Sequence, residues 1–155
     1  MNRSWLLKAA EAGLPFARHI PFAVQQTVIE AAARRLFAQS LKEGAFDLLQ
    51  GRWLRIDVND LQLSWTLTCD HGHLRVAQRP HADVRISGNW RDFLLLASRQ
   101  EDPDTLFFRR RLRIEGDTEL GLGIKNLIDA LDPDDLPPGF WSLLRSAGQA
   151  VQQSG

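Results

Sequence analysis

The fold of this chain is decided by the stretch LFFRRRLRIEGD at residues 106–117 and by TELGLGIKNLIDAL, which follows it at residues 118–131. Leu112 and Ile114 alternate with charged residues, which predicts a strand with one buried face. The Gly-Asp pair at 116 and 117 predicts a tight break. The apolar residues that follow recur at helical spacing and are Leu120, Ile124, Leu127, Ile128 and Leu131. A strand, a break and an amphipathic helix laid back across a sheet are therefore expected.

Two glycines interrupt the start of this predicted helix. Gly121 and Gly123 each cost about 1 kcal/mol relative to alanine inside a helix. Such a cost is accepted where another backbone or a ligand approaches closely. The sequence therefore predicts that the helix borders a cavity.

The composition of the chain excludes several classes of protein. The 155 residues are 44% hydrophobic and 25% charged, which is typical of one globular domain with terminal extensions. Lys plus Arg and Asp plus Glu number 19 each, and this balance disfavours a nucleic-acid partner. The single cysteine, Cys69, excludes an internal disulfide, and no secretory signal is visible at the amino terminus. No apolar run approaches a membrane span. We therefore expect a cytoplasmic protein, either soluble or peripheral at the inner membrane.

The chain is expected to divide into three segments. Residues 1–20 are predicted to form a basic amphipathic arm, interrupted at Gly13 and Pro15 and able to detach from the rest. Residues 21–131 are predicted to form the main domain. Residues 132–155 are predicted to form an acidic linker and a last amphipathic helix.

The main domain shows an α+β pattern. Helices are predicted at residues 21–39, 45–50 and 90–98. Strands are predicted from alternating apolar residues at 54–58, 61–69, 73–78, 82–86 and 111–115. We expect a five-stranded, mostly antiparallel sheet in meander order, with one helical insertion. Helices covering one face of this sheet are expected to enclose an apolar tunnel.

A cysteine and two histidines suggest one possible site of chemistry. Cys69, His71 and His73 lie across a predicted hairpin turn, and thiolate and imidazole are good zinc ligands. Three ligands within five residues rarely complete a tetrahedral site, and Cys69 continues the apolar side of its strand. No nucleotide-binding or serine-hydrolase motif is present. We expect no catalytic residue, metal or cofactor, while a small metal-dependent enzyme using this turn stays open as an alternative.

A dense basic patch lies beside two phenylalanines. The patch consists of Arg109, Arg110, Arg111 and Arg113, and it follows Phe107 and Phe108. One interpretation is a solvated strand face, because basic runs are common on surfaces. The other is a headgroup clamp at a membrane, because arginine binds phosphate through two parallel hydrogen bonds.

The stretch LRIEGD at residues 112–117 resembles the carboxy-terminal half of the sterol carrier protein type two family. The basic strand before this stretch and the helix after it are part of the resemblance. The resemblance extends over residues 46–131. Members of this family hold a lipid between a sheet and covering helices. They often carry a glycine where this chain has residues 109–111, so the rim of the cavity is expected to differ. The amino-terminal extension, LPFARHIP at 14–21 and FFRRRL at 107–112 resemble bacterial members that are lipid-binding accessory factors of oxygen-independent ubiquinone biosynthesis.

The resemblance implies a noncatalytic lipid carrier. The implied ligand is an isoprenoid quinone intermediate or a phospholipid, and the implied partners are enzymes of ubiquinone biosynthesis. A scaffold that recruits such enzymes is the second alternative. The residues expected to line the tunnel are Leu63, Trp65, Phe93, Leu96, Phe107, Phe108, Leu112, Ile114, Leu120, Ile124 and Leu127. Those expected to meet headgroups or a peripheral membrane surface are Trp5, Leu6, Phe16, Arg109, Arg110 and Arg111.

Overall fold

A computed structural model describes residues 4–154, apart from the side chains of Ser4, Leu6 and Ser154. The helices in this range are α1 (Ser4–Gly13), α2 (Phe22–Leu36), α3 (Ala38–Lys42), α4 (Trp90–Ala97), α5 (Pro103–Phe108), α6 (Thr118–Ala130) and α7 (Pro138–Ser154). The strands are β1 (Leu54–Val58), β2 (Leu63–Asp70), β3 (His73–Ala77), β4 (Val84–Gly88) and β5 (Leu112–Gly116). Short 3₁₀ helices occupy Leu14–His19, Asp47–Leu49, Asn59–Leu61 and Pro133–Asp135. The predicted α+β class is confirmed.

The strands form one sheet in the order β3-β2-β1-β4-β5. β1 pairs with β2, β2 with β3, and β4 with β5 in antiparallel fashion, whereas β1 and β4 are parallel. The sheet is therefore mixed, with antiparallel pairs in the majority.

The predicted meander order is wrong after the third strand. The six-residue connection at 78–83 carries the chain from β3 across the ends of β2 and β1. Two hydrogen bonds hold this connection beside β1. The Trp53 backbone N–H donates to the Asp83 carboxylate at 2.8 Å, and the Asp83 N–H donates to the Trp53 carbonyl at 2.9 Å. Alternation of apolar residues predicts strands but not their order, because it records only which face is buried.

The two faces of the sheet differ in chemistry. Paired residues share a face, so the register places one apolar set together: Leu54, Ile56, Val58, Leu63, Trp65, Leu67, Cys69, Leu74, Val76, Val84, Ile86, Leu112 and Ile114. The opposite face carries the polar set: Arg55, Asp57, Ser64, Thr66, Thr68, Asp70, His73, Arg75, Arg85, Ser87, Arg113 and Glu115. We call these the apolar face and the polar face.

Helix α6 packs on the apolar face, as the spacing of its apolar residues predicted. Leu120 and Ile124 are buried in the core. A Cβ on Gly121 would contact the Ile114 side chain at 3.4 Å, and one on Gly123 would crowd Leu48 at 3.0 Å. The close approach predicted for these glycines is therefore made by side chains of the protein itself.

The Gly-Asp break between β5 and α6 has a clear physical basis. Gly116 has a φ of +112°, and a Cβ there would overlap the Asp83 carbonyl. Asp117 then caps α6, because its side chain accepts the Leu120 N–H at 2.9 Å. The strand, break and helix predicted for residues 112–130 are confirmed.

The segment before β5 is helical rather than extended. Phe107 and Phe108 end α5, whose Asp102 cap accepts the N–H groups of Asp104 and Thr105. The three arginines that follow form a turn, in which Arg110 has a φ of +59°. The interpretation of residues 109–111 as a strand face is therefore wrong.

The two terminal segments pack against the rest of the chain. Leu14 and Ala17 contact the buried cluster of Val58, Leu61 and Leu63, and Glu11 forms an ion pair with Arg91 of α4. Helix α7 packs on α4 and α1. Across residues 4–154, no helix combines the length and the hydropathy that a membrane span requires.

Candidate functional site

The structure places most of the predicted lining residues in two neighbouring buried clusters between the apolar face and the covering helices, and we treat these clusters together as one layer. β2 and β5 supply one side of this layer, and α4, α5 and α6 supply the other. We define the apolar layer as Leu63, Trp65, Phe93, Phe107, Leu112, Ile114, Leu120, Ile124 and Leu127. Phe93 packs against both buried clusters of the protein and so joins the two ends of the layer.

The centre of the apolar layer is closed in this structure. Leu112 is 0% exposed and Ile124 is 1% exposed. The one polar side-chain atom of Trp65 has a hydrogen-bond partner, because the indole Nε1 donates to Gln25 Oε1 of α2 at 2.8 Å. The layer thus presents hydrocarbon surface with no unpaired donor on its tryptophan, which suits an apolar chain better than a polar ligand.

Two cavities lie at the margins of the sheet. The larger, of about 570 Å³, lies between α2 and β3 and has a mixed lining, in which Glu30, Arg34 and Arg75 supply charges. The smaller, of about 320 Å³, lies beside β5 and is lined by Phe107, Arg110, Leu112, Arg113, Ile114 and Glu115. The second cavity touches three residues of the apolar layer.

Two predicted lining residues lie apart from the layer. Leu96 is half-buried on α4, one turn after Phe93. Phe108 ends α5 with its side chain 89% exposed. Together with the exposed Arg109 and Arg110 it forms a surface feature that we call the FRR tip.

Arg111 is half-buried and paired, and it does not belong to this tip. Its guanidinium donates to Asp92 at 2.7 Å and to Glu101 at 3.0 Å. Burial works against the charged form, but these hydrogen bonds and charges outweigh it and raise the pKa of Arg111. The residue ties the start of β5 to α4 and to the loop after it. Three consecutive arginines in a sequence do not reveal which one is paired.

The remaining predicted membrane residues lie in the amino-terminal segment. Trp5 and Phe16 are exposed, at 58% and 69%. The side chain of Leu6 lies outside the described residues.

The hairpin turn does not assemble a metal site. The Cys69 side chain is 1% exposed on the apolar face, whereas His73 lies on the polar face and His71 in the turn. Burial, with help from the charges of Asp47 and Asp70, raises the pKa of the Cys69 thiol despite a hydrogen bond from Gly72. Within residues 4–154, no group of three His, Cys, Asp or Glu side chains is placed to hold a metal ion.

Sequence reasoning missed an ionic network on the polar face. Asp57 is 5% exposed, and its Oδ1 accepts from Arg55 Nε at 2.8 Å and from Ser64 Oγ at 2.6 Å. Arg85 forms an ion pair with its Oδ2. Burial acts to raise the pKa of Asp57, but the two hydrogen bonds and the arginine charges prevail and lower it. The only signal in the sequence is an acidic residue in the middle of an alternating strand.

Comparisons with known proteins agree with this geometry. The model of the SCP-2 sterol transfer family matches residues 29–129. The ubiquinone biosynthesis accessory factor UbiT of Escherichia coli strain K12 is 44% identical over 132 residues, which are 85% of this chain and 76% of that protein. Among solved structures, a ubiquinone synthesis protein described as UbiJ-SCP2 superposes with a TM-score of 0.56 over 70% of this chain and 97% of its own, at 22% identity. That likeness supports the fold. By the extent of the family match and the identity to this relative, the chain belongs to the SCP-2 sterol transfer family.

Proposed function

We propose that this chain is a noncatalytic lipid-binding accessory factor of ubiquinone biosynthesis. It holds an isoprenoid quinone intermediate or a phospholipid between the apolar face of the sheet and helices α4 to α6. The observation that carries the proposal is the apolar layer, to which two strands and three helices contribute nine side chains. The role in ubiquinone biosynthesis draws its support from the name of the relative that is 44% identical.

Burial of a lipid chain in this layer supplies enough free energy for tight binding. Each buried CH₂ group contributes roughly 0.8 kcal/mol, so about ten methylenes contribute about 8 kcal/mol before the cost of ordering the chain. No specific polar contact is needed for such binding. A carrier of this kind therefore requires no catalytic residue.

The lipid enters by opening the closed layer into an apolar tunnel. Helices α5 and α6 are the covering elements beside β5, and they are joined by an ion pair between Lys125 and Asp104 at 3.2 Å. Lys125 also lies over the Phe107 ring, 5.6 Å from its centroid. These contacts link α5 to α6, and we expect both helices to shift away from β5 when the lipid enters.

The protein works in the cytoplasm at the inner membrane, where it delivers its lipid to enzymes of the oxygen-independent pathway. The FRR tip, Trp5 and Phe16 supply a peripheral membrane contact. Phenylalanine and tryptophan bury apolar surface at the interface, and each arginine adds about 1 kcal/mol near anionic lipids. Neither contribution alone anchors the protein firmly.

Native mass spectrometry of gently purified protein tests the proposal. The expected spectrum shows protein carrying one long-chain lipid, which organic extraction releases. Protein carrying a metal ion instead would support the enzyme that uses Cys69, His71 and His73. Protein that carries neither, from cells that make ubiquinone without oxygen, would contradict the carrier and favour a scaffold.

A further inference from the structure

The two edges of the sheet differ in whether the outward-facing backbone has hydrogen-bond partners. At the β3 edge, α2 supplies hydrogen-bond partners for the outward-facing backbone. Glu30 Oε2 accepts the Val76 N–H and Gln26 Nε2 donates to the Val76 carbonyl, both at 2.8 Å. At the other edge, β5 pairs with β4 alone among the strands of residues 4–154. An edge strand that no helix or loop covers is a template for pairing with another chain.

The cavity beside β5 runs along this free edge. Its lining includes Leu112 and Ile114, which point to the apolar face, and Arg113 and Glu115, which point to the polar face. Successive side chains of a strand point to opposite faces, so a cavity that touches both sets must lie along the outer edge of the strand. Its volume of about 320 Å³ leaves open space beside the backbone of β5.

We propose that β5 pairs in antiparallel fashion with β5 of a second copy of this chain. The two sheets then join into one continuous sheet. A two-fold axis perpendicular to that sheet keeps the covering helices of both copies on the same side, and it gives each copy the same contacts.

The charges of β5 select both the partner and the register. With Ile114 opposite Ile114 of the second copy, Arg113 of each copy lies opposite Glu115 of the other. Opposite charges at directly paired positions stabilise a sheet, and like charges destabilise it. Both side chains are exposed, and neither has an ion-pair partner among residues 4–154.

The neighbouring registers are excluded by the same two residues. A shift by one residue would bring the polar side chains of one copy to the apolar side of the other. The next shift that keeps the faces aligned brings Arg113 opposite Arg113, or Glu115 opposite Glu115, depending on its direction. Among these registers, the one centred on Ile114 alone therefore neutralises both charges.

Charge reversal tests the pairing. Sedimentation velocity across a range of concentrations gives the dimer Kd of the wild-type chain and of the variants Arg113→Glu and Glu115→Arg. Each single variant places like charges opposite each other twice, so the Kd should rise about tenfold or more. Glu119→Arg reverses an exposed charge that lies outside β5, on α6, and should leave the Kd unchanged.

A mixture of the two single variants provides a more specific test. One copy then carries two acidic residues at 113 and 115 and the other carries two basic ones, so heterodimers should form with a Kd near that of the wild type. The double variant Arg113→Glu with Glu115→Arg should likewise recover the homodimer. Recovery in the mixture also shows that both single variants are folded.

Three results would overturn the proposal. The first is a wild-type chain that stays monomeric at every concentration. The second is a dimer whose Kd is the same in both single variants. The third is a wild-type Kd that falls or stays constant as the salt concentration rises. The paired charges are exposed, so the pairing predicts that the Kd rises with salt.

Discussion

The two faces of the five-stranded sheet are stabilised in different ways. On the apolar face, side chains such as Leu112 and Ile86 are buried under helices and lack polar atoms. On the polar face, Asp57 is equally buried but is held by Arg55, Ser64 and Arg85. The first face is stabilised by removal of hydrocarbon from water and the second by paired charges.

This difference indicates where a ligand can bind. Apolar packing is not directional, so a hydrocarbon chain can replace one apolar contact with another at little cost. A network of paired charges has no such freedom, because displacing one partner leaves another charge unpaired in a buried place. If the chain binds a lipid as we propose, we therefore expect the apolar face to open to it while the polar face keeps the strands in register.

The largest expected effect comes from truncating the buried side of α6. Leu120 is buried, whereas Leu122, two residues further along the same helix, is 58% exposed. Leu120→Ala should lower the free energy of unfolding by about 2–5 kcal/mol, because it removes buried methyl groups and leaves a cavity. Leu122→Ala, the matched control, should change it by less than about 0.5 kcal/mol. Urea denaturation measures both, and equal losses would mean that α6 does not pack through this face.

A smaller effect is expected on the polar face. In Asp57→Asn, Arg55 and Arg85 lie directly opposite each other without a carboxylate between them, so stability at neutral pH should fall by about 1–3 kcal/mol. Since the fold lowers the pKa of Asp57, its stabilisation is complete above the unfolded value of about 3.9 and is lost as the pH falls through the folded value.

The pH dependence of unfolding checks this sign. The difference in stability between wild type and Asp57→Asn should stay constant near neutral pH and should narrow below about pH 4. The exposed Asp135 provides the control, and Asp135→Asn should follow the wild type throughout. If the difference in stability between wild type and Asp57→Asn widens on acidification, the carboxylate does not stabilise the polar face.

The smallest effect concerns the FRR tip, which lies at the end of a covering helix. Replacing Arg109 and Arg110 by Ser should weaken binding to anionic liposomes by about 1 kcal/mol for each arginine. Phe108→Ser should weaken it further, because the side chain is exposed and free to enter the interface. Flotation assays at low and high salt measure the change. The exposed pair Arg34 and Arg35 on α2, changed to Ser, serves as the control, and an equal loss there would assign binding to general charge.

Local structure was largely predictable from the sequence. The period of two in residues 112–115 and the helical spacing from Leu120 onward each record which side of an element is buried, and β5 and α6 follow both. Gly116 and Asp117 were predictable for a similar reason, since a positive φ and a helix cap each favour one or two residue types.

Arrangement between distant segments was not predictable. The place of β4 beside β1 depends on where a six-residue connection is fastened, at Trp53 and Asp83, which are thirty residues apart. The separation of Arg111 from Arg109 and Arg110 depends on Asp92 and Glu101, which belong to other elements. In the candidate site, Phe108 departs from the other predicted lining residues because α5 ends there and turns it outward.

The most direct test of the account is lipid uptake by two matched tryptophan variants of α6. Ile124→Trp fills the apolar layer, and Leu122→Trp adds the same side chain on the exposed side of the helix. Each folded variant is incubated with vesicles that contain a radiolabelled phospholipid or a labelled isoprenoid quinone, and protein-bound label is then measured. We predict that Leu122→Trp takes up lipid as the wild type does and that Ile124→Trp takes up little or none. Equal uptake by Ile124→Trp and the wild type would contradict a lipid site on the apolar face.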